Sequence, residues 1–238
     1  MVLLAALLTG AAAPAFPQAK GPQTREQALA ALKHADAATR AEAVVWIANR
    51  GEPADAALLH ERLRDESPFV RGFAEQGLWL LWARSGDAGI DRQLARGIEE
   101  MQAGEHAKAI ETFTSVIRAK PDFAEAWNRR ATVYYLAGDL TRSIADCAEV
   151  LKRNPRHFGA LSGLGQIHVQ LGEYDQALLW FHRALEVNPN MVGVEINIKN
   201  IEELMRELEF VCRMSPLSST PKRVWSGAYS PRNEILLA

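Results

Sequence analysis

The chain has 238 residues, 48% of them hydrophobic, with 27 Lys and Arg against 29 Asp and Glu for a net charge of -2. That is apolar material for one or two packed domains, and the near balance of charge excludes both the basic excess of a nucleic-acid binder and the acidic block of a solvating tail. Two cysteines, Cys147 and Cys212, indicate no disulfide framework, and an Ala- and Leu-rich composition with modest Gly and Pro points to an all-α chain.

Residues Met1 to Leu8 are nearly all apolar and lead through Thr9 and Gly10 into an Ala/Pro stretch ending at Pro17. The run is too short to span a bilayer, so no integral membrane span is expected. It resembles the hydrophobic part of a secretory signal peptide, with Ala13 and Ala15 as a small-x-small cleavage site, although no Lys or Arg precedes it. Residues 1–19 therefore predict export, to a bacterial periplasm or beyond. A disordered Ala/Pro segment on a cytoplasmic protein is the alternative. No cysteine near the start supports a lipoprotein.

Between residues 24 and 86 a first periodicity appears. Leu32, Asp36, Arg40, Ala43 and Ile47 recur 31 residues later as Leu63, Ser67, Arg71, Ala74 and Leu78. Each half reads helix, short acidic turn, helix. Thr24 and Gln27 have the spacing of a capping box, Gly51 follows the second helix, Pro53 opens the third, and Ser67-Pro68 supply N-cap and first turn for the fourth. With the Leu-Arg-Asp turn and Val70-Arg71 as best match, these units resemble short HEAT repeats; a degenerate pair of the longer repeats described next is the alternative. In 72–84, Phe73, Leu78, Trp79, Leu80, Leu81 and Trp82 cover nearly every face of one helix. Such a helix is usually buried, and the neighbouring array is the expected cover, making one continuous stack.

A second period, of 34 residues, marks residues 90–191: Gly104, Gly138 and Gly172 form one set, Pro121, Pro155 and Pro189 another. Each unit also places a small residue in its first helix (Gly97, Ala131, Gly165) and Ala109, Ser143 or Ala177 in its second. Phe113, Cys147 or Phe181 follows in the core. The glycine ends the first helix in a left-handed conformation, and the proline ends the unit because it cannot continue a helix. Three units follow: 90–123, 124–157 and 158–191. They resemble tetratricopeptide repeats. The second, with Trp127, Ala131, Tyr134, Gly138, Ser143 and Pro155, matches most fully; the first departs most, with Gln93 and Glu100 where Trp and Tyr are usual. The resemblance implies a right-handed α-solenoid of helix pairs, HEAT-like and then tetratricopeptide.

After Pro189, Val194, Ile198, Ile201, Met205 and Leu208 fall on one face of a helix backed by charged residues. Residues 192–212 thus read as a capping helix, with a homodimer interface as the alternative. Residues 213–238, with Pro216, Pro221 and Pro231, lack helical periodicity and read as a disordered tail.

No catalytic, cofactor or metal motif stands out among His34, His60, His106, His157, His168 and His182, and Gly163-Leu164-Gly165 sits in a helix rather than a phosphate loop. His168 replaces a core Tyr and is expected to be a hydrogen-bonded core histidine. A non-enzymatic protein-binding scaffold without cofactor is the expectation; a structural module of a larger assembly, with no ligand of its own, is the alternative. The family resemblance implies a groove lined by the first helix of each pair. Its candidates are Leu94, Ile98, Met101 and Gln102, then Asn128, Arg129, Thr132, Tyr135 and Leu136, then Ser162, Gln166, Val169 and Gln170. Some family members clamp a C-terminal carboxylate with Lys and Asn. At those places this chain has Leu94, Ile98, Arg129, Gly159 and Gly163; only Arg129 could pair with a carboxylate, so that ligand is not expected, and the mixed groove suits an extended or helical segment of a protein partner.

Overall fold

The computed structural model describes residues 21–214, with side chains to residue 210. The signal-like segment and the tail beyond Met214 lie outside the described residues. Among those described, the chain folds into eleven α-helices and one 3-10 turn.

The three 34-residue units form three helix pairs: α5 (Ala88–Gln102) with α6 (His106–Ala119), α7 (Ala124–Leu136) with α8 (Leu140–Arg153), and α9 (Phe158–Gln170) with α10 (Tyr174–Val187). Gly104, Gly138 and Gly172 have φ of +74°, +79° and +72°. The residue after each donates its N–H back to a carbonyl five residues earlier, as from Asp139 to Tyr134 at 2.8 Å. This is the Schellman closure that glycine permits without steric cost. First helices also touch one another, α5 with α7 and α7 with α9, more closely than the second helices do. The array therefore curves toward its first helices.

The core of each pair is matched in size. A Cβ on Gly97 would lie 2.5 Å from the Phe113 ring, and one on Gly165 would clash with Phe181 in the same way. In the middle unit Ala131 faces the smaller Cys147, and the Ser143 hydroxyl donates to the Ala131 carbonyl at 2.8 Å. Small-with-large and medium-with-medium fill the same space, because interiors pack to near-crystalline density. The position held by Tyr134 in the middle unit tolerates polar replacements when each finds a partner. Glu100 accepts from Thr112 at 2.6 Å and Arg96 at 2.9 Å, and the half-buried His168 meets Glu173 at 2.6 Å.

The N-terminal unit contains α1 (Arg25–Ala31), α2 (Ala37–Arg50), α3 (Ala56–Arg62) and α4 (Pro68–Trp82). Thr24 caps α1 as expected, accepting from Gln27 N–H. Ser67 occupies the N-cap position of α4, but its side chain makes no capping bond; its own N–H goes to Asp65 instead. Pro53 opens a 3-10 turn (Pro53–Asp55), and α3 begins only at Ala56.

The 31-residue repeat has a polar counterpart. Arg40 donates to the carbonyls of His34 and Ala35, at 2.9 and 2.8 Å; Arg71 donates to those of Asp65 and Glu66, at 3.0 and 3.1 Å. Arg40 also forks onto Asp65 at 2.8 and 2.7 Å, joining the two halves in a buried pair. Arg71 has no third half to reach. Its Nε donates instead to Asn190 Oδ1 at 2.8 Å, and Asn190 Nδ2 donates to the Leu63 carbonyl at 2.8 Å.

That last contact corrects the expected end-to-end stack. The N-terminal unit lies along the edge of the array where the first helices start. It borders the turns at 122–125 and 153–156, and Arg64 donates to the carbonyl of Glu186. Trp79 and Trp82 are indeed covered by the array, but by the start of α9 rather than by α5. Trp79 meets Phe158 edge-on at 5.1 Å, and Trp82 stacks on His157 at 4.3 Å. Gly159 makes room, since a Cβ there would clash with Trp79.

At the other end α11 (Val192–Met214) packs Val194, Ile198, Ile201 and Met205 onto Ala177 and Phe181 of α10, as the cap pattern predicts. Leu208, expected on the same face, is 39% exposed, because the 23-residue α11 outruns the 14-residue α10. No helix among the described residues is long and apolar enough to cross a membrane.

Candidate functional site

The first helices of units two and three leave a cavity of about 150 Å³ between them. Asn128, Thr132 and Tyr135 border it from α7, and Gly159, Gly163 and Gln166 from α9. Ala131, Ser143, Cys147 and Ile167 complete the lining. Burial pushes the Cys147 thiol up to about 12, so it stays protonated and serves as packing rather than as a nucleophile. Among the described residues no three His, Cys, Asp or Glu side chains are grouped to hold a metal.

Of the groove residues expected from the sequence, Asn128, Thr132, Tyr135 and Gln166 converge on this cavity. Ser162, half-buried, turns its hydroxyl to the Gly159 carbonyl at 3.1 Å, and Val169 packs toward α10 and α11. Leu136 and Gln170 are exposed at the ends of their helices. In unit one the expectation fails for Leu94. It is 2% exposed and belongs to the core with Phe113 and Ala126, because α5 turns that face toward α6 and α7. Ile98 and Met101 pack against the same core, and only Gln102 of that set is exposed.

Arg129 forms an ion pair along its own helix, without hydrogen-bond geometry at the closest contact. Its Nε lies 2.6 Å from Glu125 Oε1, and that carboxylate is fully buried. The other oxygen of Glu125 faces His157 Nε2 at 3.1 Å and Asn128 Nδ2 at 3.2 Å. His157 Nδ1 accepts from Ala160 N–H at 3.0 Å, so Nε2 must carry the proton and donate to Glu125. Nearby, burial pushes the His60 imidazole down to about 4, reinforced by Arg156, His157 and Arg64, and it is neutral at neutral pH. His60 Nδ1 is buried with no hydrogen-bond partner among the described residues. This buried group, bounded by Trp79 and Trp82, ties the N-terminal unit to the wall of the groove.

Sequence reasoning missed His157 and the Trp79–Gly159 contact. The missing signal for His157 was its place just before α9, at the position of a helix N-cap. Gly159 and Gly163 stand one period after Glu125 and Arg129, so unit three is bare where unit two carries an ion pair.

Sequence models of the tetratricopeptide repeat match residues 94–151 and 159–191. A TPR repeat-containing protein of Rhizobium etli is 32% identical over 132 residues, which cover 56% of this chain and 65% of that one. The chain thus spans just under two thirds of that relative. Among solved structures, the Sgt2 TPR domain from Aspergillus fumigatus is 19% identical, with a TM-score of 0.49, covering 60% of this chain and 93% of that one. The first TPR of Spaghetti (RPAP3), bound to an HSP90 peptide, is 20% identical with a TM-score of 0.47, covering 49% and 93%. Residues 94–191 carry tetratricopeptide repeats.

Proposed function

We propose that this tetratricopeptide repeat protein is a non-enzymatic scaffold that holds a peptide or helical segment of a protein partner in the groove over α7 and α9. The observation that carries this is the convergence of Asn128, Thr132, Tyr135 and Gln166 on one open cavity beside the Arg129–Glu125 ion pair. Gln166 and the Tyr135 hydroxyl have no hydrogen-bond partners among the described residues, which leaves them free for a ligand backbone. Affinity capture from the native host tests the reading. Tyr135→Ala with Gln166→Ala is expected to lose the partner while keeping wild-type helicity; undiminished capture would refute it. Arg129→Glu is unsuited to this test because it would set a second carboxylate against buried Glu125.

Three further readings accompany it. Residues 24–86 are HEAT-like units, supported by the arginine clamp repeated at 31 residues. The protein is exported, supported by the apolar start, and a native N-terminus near Phe16 is the expected result of sequencing. Two copies associate through α11, supported by exposed Val192, Ile196, Leu204 and Phe210; a mass by light scattering that stays monomeric at high concentration would exclude it.

A further inference from the structure

The cavity between α7 and α9 lies at the junction of units two and three. At the preceding junction the corresponding places of the first helix are filled by Glu125 and Arg129, locked to each other at 2.6 Å. One period later they are Gly159 and Gly163; the Trp79 ring takes the space over Gly159, whereas a Cβ on Gly163 would meet only Cys147 Sγ, at 3.9 Å. Ala131 and Cys147 of the middle unit line the floor of the cavity. The result is a socket of about 150 Å³. A space of roughly that size holds a benzene-sized group.

The rim is polar but uncharged. Asn128 spends one amide hydrogen on Glu125, its carbonyl oxygen has no partner among the described residues, and Gln166 borders the socket from α9. The cation at this end, Arg129, is already ion-paired with Glu125, so an acidic anchor would have to compete with that carboxylate for it while bearing its own desolvation. Trp79 stands on Gly159 and closes one end of the trough.

From these features we infer that the partner segment, on the groove reading above, seats one uncharged apolar side chain of about leucine size in this socket. Its flanking backbone bonds to the Asn128 and Gln166 amides. Specificity then comes from volume: a shorter side chain leaves a void, and an indole does not enter. Gly163 is the position from which the socket can be filled internally, because the nearest heavy atom to a Cβ there is Cys147 Sγ at 3.9 Å. Replacing glycine within a helix also favours the helix.

The test uses the full chain as bait for a displayed library of random twelve-residue peptides. Enriched peptides are expected to share one Leu, Ile or Met with uncharged neighbours and to bind Gly163→Leu at least tenfold more weakly. Cys147→Ala, which deepens the floor, is expected to shift selection toward Phe. Peptides anchored by an acid or Trp, or bound equally by Gly163→Leu, would overturn the socket. If Tyr135→Ala with Gln166→Ala still abolished that binding, the groove reading would survive. Failure to enrich any peptide sensitive to that double variant would overturn both.

Discussion

The two halves of this molecule hold helix pairs in register with a different balance of shape and charge, although the array also forks Arg130 onto Asp146 at 2.7 and 2.8 Å and the N-terminal unit also seats Gly77 tightly against Leu59. In the array the units are locked by shape: Gly97 under Phe113, Gly165 under Phe181, and Ala131 against Cys147. In the N-terminal unit the register is held by charge and hydrogen bonds, with Arg40 and Arg71 clamping carbonyls and Arg40 forked onto Asp65. Shape locks can repeat indefinitely because each is complete within its own pair. The arginine clamp needs a following partner, and its last member finds one in Asn190 of the array. The short half is thereby committed to lie on the long one.

The difference is open to direct attack. Asp65→Ala removes one partner of a buried pair whose side chains are 10% and 3% exposed. It is expected to cost the N-terminal unit about 3–5 kcal/mol in denaturant unfolding, while the array keeps its own transition. Acid should discriminate in the same direction. His60 stays neutral in the fold down to about pH 4, whereas an unfolded histidine takes a proton near 6.5. The unfolded state thus binds more protons across that window, and stability falls as pH drops through it, by about 3 kcal/mol at most. The Arg40 guanidinium, with the Ser67 N–H, holds Asp65 below the usual carboxylate range. Its contribution is present above about pH 4 and is lost on further acidification. His60→Leu is expected to flatten the first phase and leave the second, as read from unfolding free energy against pH.

The shape lock predicts a smaller but more diagnostic effect. Gly165→Ala should cost about 2 kcal/mol by overpacking against Phe181. Adding Phe181→Cys, which copies the middle unit, should recover part of that loss, with a coupling of about 1 kcal/mol or more in a double-mutant cycle. Strict additivity would show that the Gly–Phe match is incidental. Smallest of all, Tyr135→Ala trims a half-buried ring packed beside the core of units two and three and should cost about 1 kcal/mol, leaving the fold intact for binding assays.

The array was legible because its signals are local. A glycine at each first-helix end and a proline at each unit end carry their meaning through φ and a missing N–H, whatever lies elsewhere in the chain. Leu94 shows the limit: its place in the repeat suggested the groove, but unit one has no preceding array helix, and α5 rolls that side chain into the core. The docking of the N-terminal unit was harder still. It depends on Trp79 meeting Gly159 and on Arg71 meeting Asn190, pairs far apart in sequence that share no pattern. The apolar run of α4 announced burial that holds for Leu78 and Leu81 and in part for Trp79 and Trp82, but Leu80 is 48% exposed because no described element packs on that face. Arg129 looked like a ligand-binding cation because its intrahelical partner, Glu125, four residues earlier, reads as an ordinary solvated acid, whereas in the fold it is fully buried against His157.

Hydroxyl-radical footprinting of the complex captured from the native host bears most directly on where the protein binds, because it compares exposed side chains on every candidate surface at once. Protection of Tyr135 and Leu136, with oxidation of Phe69 on α4 and Phe210 on α11 unchanged, is the predicted result. Protection confined to Phe69 or Phe210, with Tyr135 as reactive as in the free protein, would contradict binding in the groove over α7 and α9.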